Sequence, residues 1–330
     1  MPNESQVLAQ SKAAYGQWKE QWREQAKTHS EYKMKSLLDF ENIGVGRTVL
    51  CVANGYSFEE NIETIKAHRE NIDILCCDKT LGHLLDNGIV PTYCLVCDAN
   101  VSFEKYLEPY KDQVKNVVLF INVCANPKWT EGIAWKDRYF FVNKDILQSE
   151  KEFSALSGCD NLIPAATNVS NAMVVLLTQS DNGGRVNFFG YDKICLIGYD
   201  YSWKADGKYY AFDKDGDGKT HYMRHIHALN EAGDYVYTSG NLAFSASWLE
   251  KYVTTFKLPV VQCSKSGIMG QSFGGDLAKN LSYRYKPQDA TLVRELIERL
   301  NKARHEARKL DTVLKEISRD HYRSYVASRY

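Results

Sequence analysis

From residue 47 onward, short apolar runs alternate with helix-like segments, and this constrains the fold more than any other feature. "TVLCVAN", "IDILCCD", "TYCLVCDAN", "NVVLFINV", "RYFFVNK" and "KICLIGYDYS" read as strands. "SFEENIETIKAHRE", "TLGHLLDNG", "VSFEKYLEPYKDQ" and "ATNVSNAMVVLLTQ" read as the intervening helices. Strands of Val, Ile, Leu and Cys without a polar alternation are buried on both faces. The expectation is an α/β doubly wound, mostly parallel Rossmann-like sheet with helical extensions at both ends. Such sheets bind ligands beyond the carboxyl ends of their strands.

The ends of the chain differ from this core. Residues 1–44 read as a helical arm, with Tyr15, Trp18, Trp22, Met34, Leu37 and Leu38 at helical spacing. The arm either packs on the core or binds a partner. Residues 45–285 read as one Rossmann-like domain. Within it, 200–245 is a Gly-, Asp- and Tyr-rich excursion with a helical period only at Tyr222–Asn230. Loops of that length at a sheet's carboxyl edge are usually lids or substrate sites. "FSASWLEKYVTTF" reads as a helix and "PVVQCSKSG" as a strand and turn. Residues 286–330 are charged and helical. The stripe Leu292, Leu296, Leu300, Leu310, Leu314 and Ile317 would pack on the core or form a homo-oligomer interface.

Charge and composition narrow the function. Lys+Arg and Asp+Glu both number 41, which disfavours a general nucleic-acid coat or a membrane-surface protein. No run of 18 apolar residues is present, so no spanning helix is expected. The amino terminus lacks the apolar core of a signal peptide. Nine cysteines lie mostly in apolar runs, which points to reduced thiols and a cytoplasmic location. Cys94 and Cys97 have CxxC spacing, but on a strand they face opposite ways, which argues against a shared metal.

Three constellations can carry chemistry. At "ANGYSFEEN", Asn54, Gly55 and the amides up to Ser57 can meet an anion at a helix start. Gly55 would supply an unusual dihedral, and Ser57 with Glu60 a capping box. The alternative is an ordinary turn. Asp78, Asp98 and Asp200 each follow an apolar strand and should share one edge of the sheet. There they can hold ribose hydroxyls, a divalent metal or an attacking hydroxyl, or simply cap the next element. "THYMRHIH" offers His221 and His225 as bases for an acceptor hydroxyl. On a helix the two would also have metal-ligand spacing, but the HExxH pattern is missing. Asp213, Asp215 and Asp217 begin like a calcium loop, yet Arg224 stands where a bidentate Glu is required. Tyr199, Tyr201 and Trp203 can stack on a base or sugar, or pack in the core.

"VANGYSFEEN", "GIVPTYCLVCDAN", "NVSNAMVVLL", "KICLIGYDYSW", "GKTHYMRH" and "CSKSGIMGQ" run in the order of the MptE-like family, which this chain resembles over roughly residues 45–275. That family includes motility-associated factors, which resemble glycosyltransferases of flagellin, and archaeal 6-hydroxymethylpterin diphosphokinases. The first motif also resembles that of bacterial CMP-sialic-acid sialyltransferases. The resemblance implies that Asn54 contacts nucleotide phosphate. It also aligns Asp98, Gly198 and Asp200 with family positions, and His221 with a histidine base. Ala53, Tyr56 and Phe58 depart from the first motif and change the shape of the loop, and Thr92 stands where the family's later segment has an Asp.

These readings together imply a nucleotide-dependent transferase, moving a sugar from a CMP- or UDP-linked donor to an acceptor hydroxyl by direct displacement. Asn54, Gly55, Ser57, Asp78, Asp98 and Gly198 would bind the donor. Asp200, His221 and His225 would be catalytic. The acceptor could be a small molecule, a glycan, a protein or a modified nucleic-acid base. The alternative is a diphosphokinase using ATP and Mg²⁺ on Asp98 and Asp200. No GxxxxGK[ST] motif is present, which excludes an ordinary P-loop kinase. The glycosyl-transfer reading needs no Mg²⁺. A third class is a nucleotide-binding protein without activity.

Overall fold

The computed structural model describes residues 4–145, 147–179, 187–204, 206–212, 226–230, 233–268, 273–282, 294–307 and 309–310. Helix α1 (Glu4–His29) leads into β1 (Thr48–Val52), α2 (Tyr56–Glu60), α3 (Ile62–His68), β2 (Asp73–Cys77) and α4 (Asp78–Asp86). Then come β3 (Tyr93–Val96), α5 (Phe103–Tyr106), β4 (Val118–Asn122), β5 (Asp137–Lys144), α6 (Glu150–Ser157) and β6 (Leu162–Pro164). The chain continues through α7 (Val169–Thr178), β7 (Lys193–Ile197), β8 (Ile226–Leu229) and β9 (Tyr235–Thr238). It then passes through α8 (Gly240–Phe256), β10 (Val260–Gln262) and α9 (Leu277–Leu281).

Eight strands form one sheet in the order β10-β7-β1-β2-β3-β4-β5-β6, every neighbouring pair parallel. The chain winds outward from β1 to β6, then returns to place β7 on the other side of β1. Side chains of a strand alternate between faces, and both faces are covered here. Leu50, Val52, Ile74 and Cys76 join Ile65 of α3 and Leu81 and Leu84 of α4 in one core. Val49, Cys51, Leu75 and Cys77 join Met173 of α7, Leu249 of α8 and Phe40 in the other. This is the doubly wound α/β fold expected from the sequence. All nine cysteines are free thiols. Among the described residues no helix is long and apolar enough to cross a membrane.

Several local readings are corrected. Helix α2 starts one residue before Ser57, and Gly55 is its cap, with φ −77° and no unusual dihedral. The helix expected over 101–113 is only one turn, Phe103–Tyr106, followed by a short 3-10 turn. Its cap is Ser102, whose Oγ accepts from Lys105 N. In the described part of the segment expected to be helical at Tyr222–Asn230, Ile226–Leu229 is a strand of an antiparallel hairpin, with Ile226 opposite Thr238.

Helix α1 is one continuous helix, and it lies across the carboxyl ends of β3 to β5. Gln25 Nε2 donates to Ala99 O, and Tyr15 and Arg23 both bond Glu152. At the opposite end of the sheet, residues 294–307 are helical. There Arg294 reaches Tyr93 and Asp73, and Asn301 bonds the carbonyls of Asp39 and Glu41. The packed face is therefore Arg294, Ile297 and Asn301, whereas Leu296, Leu300 and Leu310 of the expected stripe are exposed. Leu292, Leu314 and Ile317 lie outside the described residues.

Candidate functional site

The reversal of winding falls between β1 and β7, where an open α/β sheet leaves a crevice at its carboxyl edge. The two strands end in turns that lock together. Ala53 N donates to Ile197 O, and Gly55 N to Gly198 O, both at 2.9 Å. Gly198 has φ +76°, and a Cβ there would stand 1.9 Å from Ala53 O. A Cβ on Gly55 would stand 2.2 Å from Asp200 Oδ2. Glycine is required at Gly55 by close approach, and at Gly198 by both approach and dihedral.

Ser57 lies beneath this contact, not at its mouth. It is 1% exposed. Its amide and hydroxyl donate to Asp200 Oδ2 at 2.9 and 3.0 Å, and its Oγ accepts from Gly198 N at 3.0 Å. The protein's own carboxylate thus occupies the amide donor that an external anion was expected to use. The other oxygen, Asp200 Oδ1, is buried and has no partner among the described residues. Burial pushes the Asp200 carboxyl up to about 7, against the downward pull of the two Ser57 hydrogen bonds.

A cavity of about 470 Å³ opens above this junction. It is lined by Asn54, Gly55, Asp78, Asp98, Gly198 and Asp200, so the structure brings all but Ser57 of the described candidate residues to one cavity. Asn54 Oδ1 is a buried polar atom without a partner among the described residues. Asp78 is the first residue of α4, 2% exposed, with its Oδ1 accepting from Lys79 N. Burial pushes its carboxyl up to about 6. Asp98 is exposed, and its Oδ1 is held by Asn100 N at 2.8 Å.

The excursion after β7 closes one side. Ala211 N bonds Asn54 O, Gly55 pairs with Tyr210, and Glu59 takes Lys208 Nζ and Phe212 N. Tyr199 and Tyr201 line the cavity but are anchored, to Ser170 O at 2.7 Å and Asn171 Oδ1 at 2.5 Å. Trp203 is not in the lining and stacks on Tyr209. His221 and His225, with Asp213 to Asp217, lie outside the described residues.

Sequence reasoning missed Lys79, Asn143, Asn168, Tyr209 and Tyr210, all of which line the cavity. Lys79 follows Asp78 directly, and its Nζ sits 5.3 Å from the Tyr210 ring centroid. Asn168 caps α7 through a bond from Asn171 N, and Asn143 sits near the end of β5. Both stand at the edge where the aspartates were sought, but nothing local separates such an amide from an ordinary cap. The assembled site is a cleft whose lining combines amide groups, carboxylates and tyrosines.

The family described as 6-hydroxymethylpterin diphosphokinase MptE-like matches residues 20–206, more than half of the chain. No curated protein matches. Among solved structures with the same fold is the MAf glycosyltransferase from Magnetospirillum magneticum AMB-1, with TM-score 0.58 and 15% identity. That match covers 86% of this chain and 42% of that one, so this chain spans less than half the length of the relative. Order of motifs, strand winding and the family match agree: the chain belongs to the MptE-like family.

Proposed function

We propose that the chain is a nucleotide-dependent group transferase that moves a sugar from a CMP- or UDP-linked donor to an acceptor hydroxyl. The observation that carries this reading is the cavity at the β1–β7 reversal, lined by Asn54 and Asp200, whose Oδ1 atoms are buried and without a partner among the described residues. Buried polar atoms without partners are costly, and a bound ligand relieves them. A cavity of about 470 Å³ lies within the range that takes small-molecule ligands. Family membership supports the same direction.

Asn54 would donate to the donor's phosphate through its Nδ2–H while its Oδ1 accepts from a ligand hydroxyl, and Lys79 is the cation of the lining among the described residues. Asp78 and Asp98 would take the ribose and sugar hydroxyls. The acceptor oxygen attacks the anomeric carbon, the bond to the nucleotide phosphate breaks, and the acceptor's proton passes to a base. Asp200 Oδ1 is the base this geometry favours. His221 or His225 would serve if the acceptor enters from the excursion side.

One observation favours a second reading. Among the described residues, three carboxylates and one lysine line the cavity, a poor balance for a phosphate chain without added positive charge. A diphosphokinase would bring ATP with Mg²⁺, held by Asp98 and Asp200, to neutralise that charge.

A thermal-shift series with CMP, UDP, GDP and ATP, each with Mg²⁺ and with EDTA, separates the readings. A rise with CMP or UDP that survives EDTA supports glycosyl transfer. A rise only with ATP and Mg²⁺ supports the diphosphokinase. No rise with any nucleotide overturns both.

A further inference from the structure

We propose that a second compartment, between α1 and the ends of β3 to β6, takes the acceptor, and that the acceptor presents an uncharged or amino-bearing saccharide ring. This rests on reading the neighbouring cavity as the donor site. The compartment has a volume of about 400 Å³. It shares Cys97, Asp98 and Asn143 with the first cavity, so the two meet at one wall. Asp98, fixed there by Asn100 N, faces both spaces.

One side of the compartment is aromatic. Ala14, Trp18 and Trp22 are spaced four apart on α1 and form a single row along it. Trp22 packs edge-on against Phe153, with centroids 6.3 Å apart, and belongs to the partly buried shell of the core. Trp18 is partly exposed and lines the space. The helix that carries it is fixed in place. Gln21 Nε2 bonds Asn100 Oδ1, Gln25 bonds Ala99 O, and Arg23 bonds Glu152. Trp18 is therefore a preset wall, and the arm read from the sequence as packing or partner-binding also shapes a cavity.

The other side is polar and carries no positive charge. Asn100, Asn122, Asn143, Asp98 and Asp145 line it, and no Lys, Arg or His does so among the described residues. Asn122 Oδ1 is taken by Cys124 N and Asn100 Oδ1 by Gln21, which leaves their amide N–H groups as donors. A pyranose ring matches both sides. Its C–H face lies against the electron-rich face of an indole, and its rim hydroxyls both give and accept hydrogen bonds. An anionic sugar would bring like charge toward Asp98 and Asp145 without a cation to offset it. An amino sugar would gain from the same carboxylates.

Saturation-transfer NMR on the full chain tests this. The probes are the methyl glycosides of glucose, galactose, mannose and N-acetylglucosamine, together with glucosamine, glucuronate and free pterin. At least one uncharged or amino sugar should bind, with transfer strongest to its ring C–H protons. Trp18→Ala should weaken that binding by about tenfold, the scale of a lost aromatic contact. Glucuronate should bind about tenfold more weakly than the neutral sugars, as like charge predicts. Asn100→Ala, on an exposed loop, is the second variant should Trp18→Ala fail to fold.

Failure of every sugar to bind, binding unchanged in the variants, preference for glucuronate, or Trp18-dependent binding of pterin alone overturns the proposal. The nucleotide thermal shift is measured on the same samples. Sugar binding without any nucleotide shift keeps this compartment and removes the transferase reading. A nucleotide shift without sugar binding does the reverse.

Discussion

Asp200 Oδ2 lies 2.9 Å from Ser57 N and 3.0 Å from Ser57 Oγ, across 143 residues of sequence. The carboxylate holds the start of α2 against the end of β7, and its other oxygen is buried without a partner among the described residues. Ser57→Ala removes a hydroxyl that bridges Asp200 and Gly198 N. It should destabilise the fold by about 1.5–3 kcal/mol, the scale of a buried hydrogen bond to a charged group, read from urea unfolding. Asp200→Asn keeps an acceptor for Ser57 N. It should fold with an unchanged far-UV spectrum and lose transfer activity once a donor is found.

The glycines at the strand junction differ from glycines that merely turn the chain. Gly198→Ala meets Ala53 O at 1.9 Å and keeps φ +76°. Backbone strain and overpacking together should cost about 2–5 kcal/mol. Gly88→Ala has a similar φ of +73° but open space around the added methyl, and should cost only about 1–2 kcal/mol. Thermal melts of the two variants side by side give the comparison.

Stability should depend on pH in opposite directions at the two ends of the sheet. Asp78 and Asp200 have folded values raised from 3.8 to about 6 and about 7 by burial. Between those limits the folded chain binds more protons than the unfolded one, so their contribution is full at acid pH and is lost as pH rises toward 7. Asp78→Asn and Asp200→Asn should each flatten that slope in urea titrations at a series of pH values. Asp73 behaves oppositely. Burial alone would raise it, but Arg294 and Arg47 beside it outweigh this and hold it below its ordinary 3.8. Its contribution is present above that value and is lost on further acidification.

Asp73 also predicts how the carboxyl-terminal helix is held. Arg47 bonds it through two nitrogens, Tyr191 OH donates to it at 2.8 Å, and Arg294 approaches at 3.5 Å. Asp73→Ala leaves two partly buried guanidinium groups without their carboxylate and should cost about 3–5 kcal/mol. Arg294→Ala should cost less, because Arg47 and Tyr191 remain. It should also speed proteolysis within residues 294–307, which limited trypsin digestion would show.

Much of the sheet could be read directly. "TVLCV" and "DILCC" are buried on both faces, as runs without polar alternation must be, and the aspartates after β2, β3 and β7 line one cavity. Ser57 was legible as a residue of the first loop but not in its role, because its partner is Asp200 and not the helix's own first turn. Asn143 and Asn168 carry no local signal that separates a cavity wall from a cap. Trp18 showed only a helical period, which looks the same whether the ring faces a core or a cleft.

Local periodicity, in other words, set the elements and their sequence, since a strand buried on both sides and an amphipathic helix each declare themselves within a few residues. What tertiary structure alone decided was which ends meet: β7 beside β1, the arm across β3 to β5, and one carboxylate seated on a distant serine. Those contacts join residues 74 or more apart, and their partners are chosen by packing the whole sheet, which no short window of sequence records.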